Sequence, residues 1–598
     1  MINLGDKNWG VKDSGLLAYK QVGSKYFNKD FDFTRASNGT YVDKNGVLQT
    51  AELYNLLDYS NNFGLWNVQN VTGGQIGYDG TNNAWIQEGA SRLQRNISLS
   101  SGVYTGSVYV KADFSNYVLF YIVGTTPARV VFELIGDGSI VYNVSVASSI
   151  EKVSSDGWYR LSITLNSDIS TFRIYPLDDA SETQTTNSSI YVQDAQLVEG
   201  TEPLDYQYTN GRVGIPRIDF SDGVGALLLE PQRTNLLLNS NSFDNWGGSK
   251  VSVTSGQEGI YGTNDAFKLI QTIDSGFHYI SQIVNLTGDY IYSICAKKAE
   301  YEGISFYIPS PTSGAASSTT FNLSTGTFTL NTHEATSEYL GDGWYRIALK
   351  TKLSGSTGIN TYVNQSIQQS ESGDGTSGIY IQHAQLELGA YPTSIIETTT
   401  SAVTRIADVA NNCGSEQDFN SEEGVLYAEI TALANDGTSR VISLNDGSNS
   451  NRIHLFYFVG SNTIYVNYRV SGTSYAIMDA PLDNLLDFNK IAYKFSSGDF
   501  ALWVNGVKVD TDGNTTMMPS GTIDRLDFDA GGGGAPFYGK VRNVKYFPEA
   551  LGDTKLMTLT GGDGSLQGLF NTFQARVLAD GGYIESQDCI INEIKELL

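Results

Sequence analysis

Apolar and polar residues alternate with a period of two through much of this chain, and a helical period is scarce. The stretches from Tyr104 to Val110 and from Tyr290 to Cys295 show it clearly. Alternation over six or more residues predicts strands with one face buried and one face in water. Similar stretches predict strands from Val425 to Ile430, Ile453 to Val459, Ile464 to Val470, Lys490 to Phe495 and Ala501 to Val509. In the last of these, Asn505-Gly506 predicts a tight hairpin turn. A further strand is predicted from Gly539 to Pro548. The period changes only at the end of the chain. Ile590, Ile594 and Leu597 stand at i, i+4 and i+7, with Ile591 and Leu598 beside them and Gly581-Gly582 as a breaker before them. They predict a short amphipathic helix that docks on its own chain or on a neighbouring subunit, since alone it is marginal. The expected fold class is all-β: tandem β-sandwich or jelly-roll domains with a short C-terminal helix.

The pattern also repeats. Asp156-Gly157-Trp158-Tyr159-Arg160 returns 186 residues later as Asp342-Gly343-Trp344-Tyr345-Arg346. Gly102, Tyr104, Ser107, Val108 and Lys111 return at the same offset as Gly288, Tyr290, Ser293, Ile294 and Lys297. The copies open alike, with Asn55-Leu56-Leu57, Phe63 and Trp66 against Asn235-Leu236-Leu237, Phe243 and Trp246. They close alike, from Tyr191 to Leu197 and from Tyr380 to Leu386. A shared offset over such a stretch marks a duplicated module. In the repeated word, Asp-Gly is a turn feeding a strand. Alternation then sets Trp158, Arg160 and Ser162 on one face and Tyr159, Leu161 and Ile163 on the other, one buried and one wet. The Trp reads as a sugar-stacking platform or as a core anchor, and the second reading is favoured.

Composition supports this picture. At 598 residues, the chain is too long for one core, and about 150 residues per domain suggests about four units, or three larger all-β ones. Apolar content of 40% suffices for globular cores, and 63 Gly against 12 Pro suits short strands joined by turns. A formal charge of −26 repels phosphate backbones, so nucleic acid is not an expected partner. Cys295, Cys413 and Cys589 form neither a disulfide framework nor a metal spacing, which fits folding in a reducing cytoplasm. No secretory signal and no apolar run of transmembrane length is visible, so membrane insertion is not expected.

Candidate chemistry is sparse. His278, His333, His383 and His454 are the four histidines, and no two share a metal-ligand spacing. No nucleophile elbow, phosphate loop or zinc-protease helix occurs. The chain is therefore read as non-enzymatic, with no catalytic, cofactor-binding or metal-ligating residue singled out. A carboxylate pair distant in sequence stays open, as glycosidases use. Asn445-Asp446-Gly447 and the run Asp510-Thr511-Asp512-Gly513-Asn514 offer oxygen donors suited to calcium, although the same residues build ordinary turns. Asn96-Ile97-Ser98 has the form of a glycosylation acceptor and is read as composition. Sugar-contacting aromatics are not separable by pattern from core ones.

Several stretches resemble known families. The Leu502-Trp503-Val504-Asn505-Gly506 hairpin and the strand from Gly539 to Pro548, followed by Ala550-Leu551, resemble the concanavalin-like lectin/glucanase superfamily in its laminin-G-like form. The catalytic Glu-x-Asp-x-x-Glu strand of its glucanase branch is not found, so hydrolysis does not carry over. The two repeats resemble galactose-binding-like jelly rolls that serve as carbohydrate-binding modules, through the opening phrase and the Asp-Gly-Trp-Tyr-Arg word. Phe33-Thr34-Arg35-Ala36-Ser37, Tyr41-Val42-Asp43 and the run from Gly46 to Ala51 resemble the start of a segment in tailed-bacteriophage structural proteins. The continuation of that segment is displaced here to Pro216-Arg217-Ile218-Asp219-Phe220 and the run from Leu228 to Leu237, as if the first jelly roll were inserted into it. Arg576 to Gly582 resembles the C-termini of phage virion proteins.

These resemblances imply a division into 1–51 (attachment segment), 52–210 (inserted jelly roll), 211–234 (continuation), 235–400 (second jelly roll), 401–562 (laminin-G-like sandwich) and 563–598 (C-terminal segment). They imply a virion surface protein, a head or tail fibre or decoration, made in the host bacterial cytoplasm. Its expected partners are other virion subunits of capsid or tail, host-surface glycans, and further copies of itself, trimers being frequent among such fibres. Two alternatives stand: a polysaccharide depolymerase, and a purely architectural virion subunit without glycan binding.

Overall fold

The computed structural model describes residues 19–20, 31–35, 37–51, 55–67, 70–144, 146–207, 209, 216–309, 317–331, 334–363, 372–458 and 461–561. The helix expected around Ile590 to Leu598, the phrase from Arg576 to Gly582, Val459, His333 and Cys589 lie outside the described residues. The fold is all-β. Among the described residues, helix is confined to Asp553–Thr560 and to two single turns, Phe63–Leu65 and Phe243–Asn245. The chain falls into two compact units. One contains 52–215, and the other joins 16–51 to the residues from 216 onward.

The unit containing 52–215 is one nine-stranded sheet built around two long strands, Leu93–Ala112 and Trp158–Leu177. They pair antiparallel from Trp158 opposite Lys111 to Ile174 opposite Leu93, with register shifts between Ser167 and Thr171. Before the shift, Trp158–Leu177 also pairs with Ala147–Lys152, and after it with Tyr117–Val123. Bulges of this kind bend a strand, and here they fold one sheet into two facing layers. Val108, Tyr159, Leu161 and Ile163 from one half share a core with Phe120, Ile122 and Phe172 from the other. The layers touch closely at Gly106, where a Cβ would lie 2.5 Å from Ile122 Cδ1.

The second copy repeats this plan as a ten-stranded sheet. Its long strands, Tyr279–Lys298 and Trp344–Val363, begin 186 residues after their counterparts and pair along almost their whole length. The recurring residues are the ones that fix chain crossings. Asn55 Nδ2 donates to the carbonyls of Ala195 and Gln207, as Asn235 Nδ2 does to those of Ala384 and Ile396. Trp66 Nε1 donates to Tyr59 O at 2.9 Å, and Trp246 Nε1 to Asn239 O at 3.0 Å. Arg160 donates to Leu204 O and Arg346 to Thr393 O.

The repeated Trp is not on a wet face. Trp158 and Trp344 are 0% and 1% exposed, although each lies on the opposite side of its strand from the sandwich core. Trp158 meets Tyr78 edge-on at 6.3 Å, and Tyr78 stacks on Tyr109 at 4.0 Å. Trp344 sits with Val42, Leu48, Ile260 and Cys295, because the hairpin of Gly39–Val42 and Leu48–Ala51 covers that side. Neither indole presents a face to a sugar.

The third sandwich packs an eight-stranded sheet on a five-stranded one over a core that includes Leu426, Ile442, Leu455, Tyr468 and Tyr493. Burial of each such side chain contributes roughly 1.5–3 kcal/mol. The Asn505-Gly506 turn joins Phe500–Val504 to Val507–Asp512. The segment 216–234 enters this sandwich: Arg217–Asp219 pairs with Ala226–Leu229, which pairs with Gly539–Phe547 at the edge of the larger sheet. Phe31 and Phe33 also lie in its core, and Asp32–Thr34 pairs with Val409–Asn411. Periodicity did not single out Arg440–Asn445 or Thr473–Pro481 in the smaller sheet, the first being buried on both faces and the second interrupted by a bulge.

Candidate functional site

Five ionisable side chains meet inside the unit that holds the third sandwich. Arg217, 0% exposed, donates to Glu230 Oε2 at 2.6 Å and to Asp408. Arg35 donates to Asp408 Oδ1 at 2.9 Å, and Arg405 Nη1 lies 3.5 Å from Glu230 Oε2. Ser394 completes the set, its N–H donating to Glu230 Oε1 at 2.8 Å. Burial alone would raise the Glu230 carboxyl, but Arg405 and Arg217 hold it well below the ordinary carboxylate range. Burial, with the Arg217 charge, lowers Arg35 to about 10. Arg35 comes from the stretch 33–37 and Arg217 and Glu230 from the stretch 216–237, which lie on either side of the first repeat. Almost wholly closed to solvent, the network fastens strands together.

A second arrangement is open to solvent. On the outer face of the smaller sheet, adjacent strands Arg452–Tyr457 and Thr463–Val470 place Phe456 opposite Tyr465, His454 opposite Asn467 and Arg452 opposite Arg469. Strand alternation sends Ile453, Leu455, Ile464 and Val466 into the core and these six outward. Phe456 and Tyr465 have ring centroids 4.7 Å apart, and Phe458, which is exposed, stacks on Tyr465 at 5.8 Å. The neighbouring strand brings Asn467 Nδ2 to Ser474 Oγ at 3.0 Å. The segment around Ala530 walls the other side, accepting from Arg452 Nη1 at 2.8 Å, and the four glycines Gly531 to Gly534 follow it. The result is an aromatic ladder beside planar polar groups. Aromatic faces pack against the apolar faces of sugar rings, while planar amides and guanidinia bond ring hydroxyls.

A third feature is a cleft of about 1040 Å³ between the 39–51 hairpin, the 219–223 turn and the 337–342 turn. Asp219 accepts from Val42 N at 2.8 Å, and Lys540 pairs with Asp219 at 3.0 Å and Asp222 at 2.7 Å. Desolvation in the cleft shifts the Glu338 carboxyl upward; Arg346 and Lys540 oppose this, and Asp219 and Glu230 assist. Glu338 keeps much of its surface in water, which limits the effect.

The candidates drawn from the sequence are dispersed. His278 is buried with Nδ1 2.6 Å from Lys250 O, and His383 lies 3.0 Å from a Glu397 oxygen. Among the described histidines His454 alone joins this face, buried there, and burial and the Arg452 charge lower it to about 3 and keep it neutral. Asn445 bonds Asp527 at 2.8 Å and the Gly447 N–H at 2.7 Å, and Asp446 bonds Ser448 at 2.6 Å. Asp512 likewise accepts from Asn514 N at 2.7 Å. The Asn445–Asp527 bond ties adjacent strands and the others are turn bonds, and among the described residues no group of three or more His, Cys, Asp or Glu is placed to hold a metal. Cys295 and Cys413 are buried. The alternation that carries Phe456 and Tyr465 is that of any half-buried strand, so the sequence pattern does not mark the ladder.

No protein-family model matches the chain, and no curated protein matches it. Among solved structures it is similar to the CBM40 module of the Ruminococcus gnavus IT-sialidase bound to α2,6-sialyllactose, at 18% identity over 23% of this chain and 84% of that one, with a TM-score of 0.21. It is similar to a heptameric SAP-like pentraxin of Limulus polyphemus, at 15% identity over 25% of this chain and 73% of that one, TM-score 0.20. It is also similar to domains LG4-5 of the mouse laminin alpha1 chain, at 12% identity over 47% of this chain and 90% of that one, TM-score 0.18. These are lectin-like folds, each covering a part of the chain.

Proposed function

We propose that this chain is a non-enzymatic surface protein of a tailed-bacteriophage virion, a head or tail fibre or decoration, that holds host-surface carbohydrate on the outer face of its third sandwich. The Phe456–Tyr465–Phe458 ladder beside Asn467 and the two arginines carries the carbohydrate part of this reading. The virion part rests on the resemblance of the two displaced segments, and the meeting of Arg35, Arg217 and Glu230 in one network supports treating them as one structural element. Assembly with capsid or tail subunits, and self-association as a trimer, belong to the same proposal. A single shallow face binds weakly, and many copies on one particle supply avidity. Purified chain added to host cells before infection is expected to slow phage adsorption, and antibody against it to decorate the particle. Undecorated particles would remove the virion assignment.

A depolymerase is the second reading, favoured by the two carboxylates Glu338 and Asp219 that line one cleft. Shortening of host polysaccharide by the purified chain, abolished by Glu338→Gln, would establish it in place of the first.

A further inference from the structure

One end of the outer face carries two positive charges, Arg452 and Arg469, while Asp479 stands at the other end, opposite Tyr465. Arg452 and Arg469 are directly opposite one another on neighbouring strands, and among the described residues neither forms an ion pair. Like charges at opposed positions destabilise a sheet. Most other arginines and lysines of this unit with described partners, such as Arg440, Lys494 and Lys540, have an acid to meet. The chain has 64 acidic residues against 38 basic ones, so an acid-free arginine pair stands out.

The contacts fix these side chains and leave capacity over. Arg452 Nη1 is held by Ala530 O at 2.8 Å and by Asn449, while its Nε is closed off without a partner among the described residues. Arg469 Nε donates to Gly472 O at 2.9 Å. Burial, then the charge of Arg469, lowers Arg452 from its ordinary value. Two guanidinia on directly opposed strand positions, each anchored by a backbone carbonyl, offer one carboxylate or sulfate their remaining N–H donors, and its charge offsets their repulsion.

We infer that this face selects acidic sugars, an oligosaccharide whose neutral ring packs on Phe456 and Tyr465 while the carboxylate or sulfate of the next residue sits between Arg452 and Arg469. The inference rests on the carbohydrate reading above and names its ligand class. The overall charge of −26 opposes an anionic ligand at long range. That opposition is screened beyond about 8 Å at physiological ionic strength, whereas the arginine contact is direct, so the local pair decides.

An array of oligosaccharides in matched forms tests it with the full chain: glucan against glucuronan, galacturonan against its methyl ester, lactose against sialyllactose. Acidic members are expected to bind about tenfold tighter than neutral ones, one good charge-assisted contact being of that size. Arg452→Gln with Arg469→Gln should erase the preference, bringing each acidic form down to the level of its neutral partner. If the double variant does not fold, Arg469→Gln alone should cut the preference. Equal binding of neutral and acidic forms, or a preference that survives these substitutions, overturns the inference and leaves the carbohydrate reading standing. No binding across the whole array overturns that reading, and the inference with it.

Discussion

Arg217 and Asp408 are ion-paired across 191 residues of sequence, both closed to solvent. Arg217 also holds Glu230, and Asp408 also holds Arg35, so removing one member strands the others. Burying a charge without its partner costs more than the pair contributes. Arg217→Met should therefore destabilise the unit by about 3–5 kcal/mol. Thermal unfolding of the variant would read this as a lowered midpoint, and an unchanged midpoint would contradict it.

Acid should loosen the same network. The folded Glu230 carboxyl is depressed below its ordinary value of 4.5 by Arg405 and Arg217, against the cost of burial. A depressed carboxyl contributes stability that is fully present above the unfolded value and is lost as pH falls toward the folded one. The thermal midpoint should start to drop below pH 4.5, and Glu230→Gln should flatten that part of the curve while lowering the whole.

His454 gives a separate window. Its folded value is about 3 against an ordinary 6.5, with burial the first cause and Arg452 the second. The unfolded chain takes up a proton between these values and the folded chain does not, so stability falls as pH drops from 6.5 toward 3. The slope is at most about 1.4 kcal/mol per pH unit. His454→Gln should remove the part of the slope that lies above pH 5, which a pH series of thermal melts would show.

The two repeated tryptophans should report packing and not ligand. Trp158 and Trp344 are closed to solvent, so their fluorescence should resist iodide quenching and stay constant as sugar is added. Trp344→Ala should cost about 3–5 kcal/mol through the cavity it leaves, without changing sugar affinity. A sugar-dependent signal lost in Trp158→Phe or Trp344→Phe would return these residues to a binding role.

The all-β class was legible because strand alternation is local: each residue's neighbours two away share its face. The 186-residue offset between repeats was legible for the same reason, and the long strands of the two copies begin at that spacing. The side on which Trp158 and Trp344 are buried was not legible, since the cover over Trp344 comes from Val42 and Leu48, far away in sequence. Arg217 and Asp408 carry no mark of their pairing either. The ladder of Phe456 and Tyr465 depends on the register of two strands, which alternation alone does not fix.

The most direct measurement is calorimetric titration of host-surface polysaccharide into the full chain and into Phe456→Ala with Tyr465→Ala. Both rings are half-buried on the outer face, so the fold should survive their loss. The account predicts saturable binding to the native chain and a drop of at least about tenfold in the variant, stacking being worth about 1.4 kcal/mol here. Undiminished binding by the variant, or none by the native chain, would contradict it.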